Sequence, residues 1–220
     1  MIFALATPTG KAALAVFRIS GSGCHEVISK ILDKNIAEFN RVFLRKIIHD
    51  GVLVDVSTVV FYKSPRSYTG EDMVEIFCHG GFATLKKLID LFHNLNIREA
   101  EPGEFTKIAV LNGKQTLNEA ESLLDLINST TDAEMNMALG VVAGELSNTV
   151  SVLGDELDDI RVFVESIIDF DDEDGVDVSL EEVIERLEAL RLGFGDLKKQ
   201  GFRSSNIGKT NGVLMLGPPN

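Results

Sequence analysis

The sequence predicts an α+β domain followed by an all-helical domain of long helices. In the first half, short runs of β-branched and aromatic residues alternate with apolar residues at helical spacing. After Met135, apolar residues recur every three or four positions. Residues 1–116 hold 14 Lys/Arg and 12 Asp/Glu, a net charge of +2, whereas residues 117–220 hold 7 and 22, a net charge of −15. We therefore predict domains over 1–116 and 117–209, and a short further segment over 210–220.

Four strands and three helices are predicted in the first domain. Turn residues at Pro102–Thr106 precede a further helix, which Asn112–Lys114 closes with a glycine C-cap and a basic residue. The remaining predictions are strands over Ala12–Ile19, Arg41–Ile48, Val52–Tyr62 and Met73–Cys78, and helices over His25–Leu32 and Phe82–Leu95.

The helical domain begins with a capping signal. Asn118 is a suitable N-cap, with Glu121 as its capping-box partner. The apolar stripe from Met135 to Ile167 predicts one helix of more than thirty residues. A second helix, joined by an acidic turn, carries one apolar face made of Leu180, Val183, Leu187, Leu190, Phe194 and Leu197. Such a hairpin needs further cover, from a partner chain or a C-terminal segment.

Composition excludes several classes of protein. We expect no membrane span, because the sequence has no run of 18 or more apolar residues. The N-terminus, Met1–Gly21, has no basic n-region, and its apolar stretch Ala12–Phe17 is followed by Arg18, so we expect no signal peptide. Cys24 and Cys78 have no paired spacing, so we expect no disulfide framework or zinc site and a reducing cytoplasm. The net charge of −13 argues against a simple nucleic-acid-binding module.

Several residues of the first domain are open to two interpretations. Arg18 in an apolar strand is equally a snorkelling or edge-strand arginine or a functional one. Glu75 lies between apolar neighbours, so it either faces solvent or is buried with a partner. We favour a structural hydrogen-bonding role for His79 over acid–base chemistry, and a buried strand position for Cys78 over a nucleophile.

Two motifs in the second half resemble ligand sites without meeting their requirements. Gly208–Thr210 resembles the end of a phosphate loop but precedes a predicted strand, so we interpret it as a linker. The acidic run from Phe170 to Glu181 approaches a calcium loop, but its first position cannot coordinate, which favours a solvated helix connection. A short strand over Val213–Leu216 leads into Gly217–Asn220.

Taken together, the motifs of both domains resemble the MnmE family of tRNA-modifying GTPases. The resemblance covers nearly the whole chain, in order and at the family's spacing. It rests on Ala4–Gly10, Phe17–Gly21, Ser67–Asp72, His79–Gly81, Pro102–Thr106, Asn112–Lys114, Glu119–Glu121 and Val164–Phe170.

The resemblance implies a folate-binding domain similar to that of the glycine-cleavage aminomethyltransferase. Arg18, Glu75 and Lys114 match the family's folate-contacting positions, and Asn220 matches a position that contacts nucleotide and potassium. No catalytic residue is assigned. Residues 210–220 resemble the first strand of a G domain and the opening of its phosphate loop at Gly217–Asn220. The lysine and serine that contact phosphate and magnesium in such a loop are absent from the sequence, so we expect no GTP hydrolysis by this chain alone. Lys11–Ala13 replaces the family's Arg-Gly-Gly, which removes backbone freedom there.

The resemblance also implies the function of a complete protein. With the flavoprotein MnmG (GidA), a cytoplasmic homodimer paired through its N-terminal domain would modify C5 of the wobble uridine (U34) of tRNA. It would use 5-formyl- or methylene-tetrahydrofolate, GTP, K⁺ and Mg²⁺. The alternatives are a free-standing folate-dependent aminomethyltransferase and a non-catalytic dimerisation or docking module.

Overall fold

The computed structural model describes residues 1–36, 38–169 and 180–207, in two compact units. The first unit is Met1–Leu117, and the second begins at Asn118. Five sequence predictions lie wholly or partly outside the described residues. They are the acidic turn, the calcium-like run from Phe170, the linker at Gly208–Thr210, the strand at Val213–Leu216 and the nucleotide-contacting Asn220.

The first unit is built on a six-stranded mixed sheet of order β3-β4-β5-β2-β1-β6. β1 and β6 pair in parallel, and the other neighbours are antiparallel. The strands are β1 (Ile2–Leu5), β2 (Leu14–Ser20), β3 (Val42–His49), β4 (Val52–Tyr62), β5 (Met73–His79) and β6 (Arg98–Glu99).

Two helices, α1 (Cys24–Ser29) and α2 (Phe82–Asn94), cover one face of this sheet and contribute to the main core. The helix α3 (Glu104–Leu111) follows β6. Phe92 of α2 packs against Phe3 and Phe17, with ring centroids 5.1 and 5.3 Å apart. Burying aromatic rings of this size is the main stabilisation available to a small sheet domain. On the opposite face, Leu14, Val16 and Arg18 of β2 stay at least partly exposed.

The predicted elements of the first unit are confirmed with shifted ends. β2 begins at Leu14 rather than Ala12, and α1 ends at Ser29 rather than Leu32. β1 and β6 were not predicted, because segments of four and two residues are too short to show a period. The predicted helix before Asn112 and Gly113 is confirmed as α3, and Gly113 has the left-handed φ of 66° that is typical of a glycine after a helix end.

Four helices follow the sheet domain, so the coarse fold class, a mixed sheet with helices and then a helical region, is confirmed. They are α4 (Leu117–Asn128), α5 (Asp132–Val142), α6 (Glu145–Asp169) and α7 (Leu180–Ile207). Because α4 begins at Leu117, Asn118 lies in its first turn, and the predicted N-cap role is wrong. A capping box is instead formed at the start of α5 by Thr131 and Glu134.

The single helix predicted from Met135 to Ile167 is also wrong. The chain breaks between α5 and α6 at Gly144, whose φ of 81° is left-handed. Ala143 and Gly144 donate their N–H groups back to Leu139 and Val141, which is how a helix ends at glycine. The axes of the two helices differ by 49°.

α6 and α7 pack together over a small apolar core. Ile160, Val183 and Leu190 are buried there. Glu156 and Arg186 form an ion pair at 2.9 Å across the two helices. Leu187 and Phe194, which were predicted to share the buried face, stay 42% and 43% exposed. The predicted shortage of cover is thus seen in the described residues. No single described helix is long and apolar enough to cross a membrane. The bent pair α5 and α6, taken together, meets the requirements of length and apolar composition for a membrane span, and no other observation supports one.

Candidate functional site

The candidate site lies on the sheet face opposite α1 and α2. Side chains alternate along a strand, so Phe17, Ile76 and Cys78 point into the core while their neighbours point the other way. The register of β2 and β5 places three successive pairs on this open face: Arg18 with Glu75, Val16 with Phe77, and Leu14 with His79.

A groove runs along the first two of these pairs. It encloses a volume of about 390 Å³, within the range of small-molecule sites. We call it the sheet groove, and it is lined by Ala6, Thr7, Val16, Arg18, Glu75 and Phe77. The Thr7 hydroxyl accepts a hydrogen bond from the Val16 N–H at 3.3 Å, which holds the wall after β1 against β2.

Arg18 is the cation of the sheet groove. Its Nε donates to Oε1 of Glu75 at 2.8 Å, and its guanidinium lies 5.2 Å from the centroid of the Tyr68 ring. Since β2 lies between β1 and β5, the edge-strand interpretation of Arg18 is wrong. Its side chain is 36% exposed, and no described residue accepts a hydrogen bond from its terminal nitrogens. Those nitrogens are available to a ligand.

Glu75 is the buried carboxylate beside it. The residue is 9% exposed, and its Oε2 accepts a hydrogen bond from the Tyr62 hydroxyl at 3.1 Å. Of the two interpretations, burial with a partner is confirmed. Burial, followed by the charge of Glu75, raises the pKa of Tyr62 to about 12. A carboxylate has about four acceptor positions, so Glu75 retains capacity for further N–H donors.

The loop between β4 and β5 holds this pair in place. Ser20 and Thr69 are both buried, and their hydroxyls meet at 2.7 Å. Ser20 also donates to Oε2 of Glu71 at 2.9 Å. The Tyr68 hydroxyl meets that of Thr106 on α3 at 2.9 Å, so the ring beneath the Arg18 guanidinium is held at its hydroxyl end.

Lys114 is joined to the same loop. Its Nζ donates to the Pro65 carbonyl at 3.0 Å, and its stem packs against Gly70. Asn112 donates to the Thr69 carbonyl at 2.8 Å. Of the three predicted folate residues, the structure brings Arg18 and Glu75 into direct contact. Lys114 is linked to them through the loop and is not among the residues that line the groove.

Sequence reasoning missed Tyr62, Tyr68 and Asp55. Tyr62 shares a face with Glu75 through the register of β4 with β5, which alternation within a single strand does not reveal. Tyr68 lies inside the Ser67–Asp72 motif, but the sequence analysis predicted no role for it. Asp55 contacts His79 with an Nδ1–Oδ1 distance of 2.7 Å. This hydrogen bond is compatible with a structural role and with acid–base chemistry, so the structural role of His79 stays a prediction. Cys78 is buried as predicted, and burial raises its pKa to about 11, which opposes nucleophilic chemistry.

Comparison with known proteins agrees with the motifs. Residues 1–114 match the family described as GTP-binding protein TrmE N-terminus, and residues 117–207 match the MnmE helical domain.

Relatives named tRNA modification GTPase MnmE occur in several bacteria. The Thermotoga petrophila protein is 41% identical over 96% of this chain and 48% of its own length. The Aquifex aeolicus protein is 36% identical, with coverages of 100% and 49%, and the Neorickettsia sennetsu protein is 33% identical, with coverages of 100% and 40%. The chain spans about half the length of the relatives it matches, or less, and it belongs to the TrmE/MnmE family, whose N-terminal and helical domains it contains.

Proposed function

We propose that this chain is the folate-binding and helical part of a tRNA-modifying GTPase, and that the sheet groove holds the pterin of a tetrahydrofolate. The observation that carries the proposal is the contact of Arg18 with Glu75 in an open groove. It sets free guanidinium donors beside a buried carboxylate. On this proposal the first unit has an aminomethyltransferase-like fold.

The donor set fits a reduced folate. A pterin presents neighbouring N–H donors and a carbonyl acceptor on one edge, and Glu75 and Arg18 supply the complementary acceptor and donors. Phe77 and Val16 supply an apolar floor for a ring. Lys114, an exposed ammonium, suits the carboxylates of the folate tail. When bound, the folate supplies one carbon for transfer, either 5-formyl- or methylene-bound.

The complete protein is proposed to hydrolyse GTP with K⁺ and Mg²⁺ and to work with MnmG on C5 of the wobble uridine (U34) of tRNA. Support comes from family membership and from the relatives' name, tRNA modification GTPase. The nucleotide and potassium role of Asn220 belongs to this proposal, as do the cytoplasmic location and the homodimer. Absence of GTP hydrolysis by this chain alone stays a prediction.

A docking or dimerisation module is the second candidate, and a specific observation favours it. Val42 and Leu44 on β3 are 72% and 67% exposed on the same face of the sheet as the groove. Exposed apolar side chains that lie together commonly mark an interaction surface. A docking module without a ligand would show no folate binding, which separates the two candidates.

The deciding experiment is calorimetric titration of the 220-residue protein with 5-formyl-tetrahydrofolate. We expect saturable binding that Arg18→Met and Glu75→Gln each weaken by about tenfold or more, because each removes a hydrogen bond to a charged group. Arg41→Met is the matched control, since Arg41 pairs at the surface with Glu38, its one ion-pair partner among the described residues. Wild-type protein that gives no binding heat, or equal losses in the control, would contradict the proposal.

A further inference from the structure

Glu75 accepts a hydrogen bond from each of the two strands that flank β5. Arg18 on β2 is its register partner, and the Arg18 Nε donates to Oε1 at 2.8 Å. Tyr62 on β4 is the register partner of Met73, two residues from Glu75, and such diagonal neighbours lie within reach of an aromatic side chain. The Tyr62 hydroxyl donates to Oε2 at 3.1 Å. Each carboxylate oxygen is therefore held from a different strand, and the two contacts together set the plane of the carboxylate.

Tyr62 donates to this carboxylate throughout the neutral pH range. Burial, followed by the charge of Glu75, raises the pKa of Tyr62 to about 12, so the hydroxyl keeps its proton. Without that hydroxyl, Arg18 would be the remaining donor to Glu75 among the described side chains. A carboxylate held at one oxygen can turn about that contact, whereas one held at both oxygens cannot. Tyr62 is not among the residues that line the sheet groove, so its effect on a ligand passes through Glu75.

The backbone that carries Tyr62 is anchored from the helix-covered face of the sheet. His25 of α1 places its Nε2 3.1 Å from the Tyr62 carbonyl oxygen and 3.3 Å from that of Met73. Two carbonyl acceptors require a proton on Nε2, so this imidazole ties the two register partners together. The His25 ring also stacks on Phe61, with centroids 4.9 Å apart and planes 11° apart. The position of Tyr62 on β4 is therefore fixed by the core, without any ligand.

A carboxylate held in this way is an acceptor with two fixed oxygens. A carboxylate has about four acceptor positions, and the donors from Arg18 and Tyr62 take one on each oxygen of Glu75. One position stays open on each oxygen, and Glu75 lines the sheet groove. Two acceptors side by side in one plane complement two N–H donors side by side on a ligand. A ligand carbonyl in place of one donor would leave two oxygens facing each other with no proton between them, which costs binding free energy.

We propose that Tyr62 is a specificity-determining residue of the sheet groove, an inference that rests on the proposed folate function. It acts by positioning Glu75 as a two-oxygen acceptor for a heterocycle with two adjacent N–H donors. The preferred ligand class is a ring that carries an amino group beside a ring N–H, as a reduced pterin does. Rings that carry a carbonyl group at that place are rejected. Tyr62 itself makes no contact with the ligand, so its effect is on discrimination between rings.

The first test measures this discrimination with two small probes. Tetrahydropterin and tetrahydrolumazine differ in the group at C2, which is an amino group in the first and a carbonyl group in the second. Each displaces 5-formyl-tetrahydrofolate from the 220-residue protein in competition calorimetry. We expect wild type to prefer tetrahydropterin by about tenfold or more, and Tyr62→Phe to lower that preference to about threefold or less.

Thr58→Val is the matched control for the first test. Thr58 lies on the same face of β4 as Tyr62 but opposite Phe77, so the substitution removes a hydroxyl from this face and leaves both contacts of Glu75 in place. Its probe preference should equal that of wild type. If Tyr62 only packed, Tyr62→Phe would weaken both probes alike and leave their ratio unchanged, which would overturn the inference with folate binding left standing. Wild type that binds neither 5-formyl-tetrahydrofolate nor tetrahydropterin would remove both proposals.

The second test asks whether Tyr62 acts through Glu75. Adding Tyr62→Phe to Glu75→Gln should change the probe preference by less than about twofold, because the carboxylate that Tyr62 positions is already absent. A double variant in which the two substitutions lower the preference independently would show that Tyr62 acts on the ligand by another route, and the inference would be wrong. Urea unfolding of each variant establishes that the binding data come from folded protein.

Discussion

Arg18 and Glu75 are register partners on the neighbouring strands β2 and β5, and their side chains meet at 2.8 Å on the open face of the sheet. The pair is asymmetric, because the glutamate is 9% exposed and the arginine side chain 36%. A buried carboxylate depends on its donors far more than a half-exposed guanidinium depends on its acceptor. The arginine can therefore turn its free nitrogens to a ligand while the glutamate keeps it in place.

Replacing Arg18 alone is expected to lower the free energy of unfolding more than replacing both Arg18 and Glu75. Arg18→Met leaves Glu75 buried with Tyr62 as its remaining donor, so we expect a loss of about 1–3 kcal/mol in the free energy of unfolding. The double variant Arg18→Met/Glu75→Leu removes the stranded charge and should recover part of that loss. Urea unfolding at neutral pH measures both. A double variant less stable than Arg18→Met would show that the charge is not the source of the cost.

Tyr62 gives a spectroscopic readout of the same carboxylate. The sequence contains two tyrosines, and the pKa of Tyr62 is raised to about 12 by burial and by Glu75. A folded pKa above the unfolded value means that this stabilisation is complete below about pH 10 and falls as pH rises toward 12. Ultraviolet titration should show one late-ionising tyrosine, which Tyr62→Phe removes and Glu75→Gln moves to lower pH. Late ionisation that survives in Tyr62→Phe would assign the shift to Tyr68 instead.

Local sequence patterns recovered four of the six described strands of the first unit but not the pairing of side chains. Alternation placed Glu75 on one face of β5, yet only the register with β2 shows that Arg18 is its neighbour. Asp55 and His79 are 24 residues apart and meet because β4 and β5 are adjacent. The break at Gly144 was missed because the apolar stripe continues across it with helical spacing. Contacts between strands, and a single left-handed residue, leave no periodic signal.

Acid should weaken the protein partly through Asp55. Its folded pKa lies below the usual value, so its contribution is present above the unfolded pKa near 3.9 and is lost as pH falls through the lowered folded pKa. The unfolding free energy of wild type should therefore decline between about pH 5 and 3 more steeply than that of Asp55→Asn. Asp90→Asn, on the exposed face of α2, should follow wild type. Parallel curves for wild type and Asp55→Asn would show that the contact of Asp55 with His79 does not contribute to the free energy of unfolding.

The break between α5 and α6 offers a paired test with opposite signs. Gly144 has φ of 81°, and an added Cβ would meet Oε1 of Glu119 only at an ordinary 3.5 Å. Backbone strain, rather than crowding, should therefore make Gly144→Ala cost about 1 kcal/mol or more. Gly154 lies inside α6 with open space around its Cβ position.

Gly154→Ala should accordingly stabilise α6 by about 0.5–1 kcal/mol, because alanine loses less backbone freedom in a helix. Helical circular dichroism followed through urea unfolding compares the two variants at one wavelength. If α5 and α6 formed one continuous helix in solution, Gly144 would be a helix-interior glycine as well, and both alanines would stabilise. Opposite signs for the two substitutions are therefore the result that requires a left-handed residue at position 144.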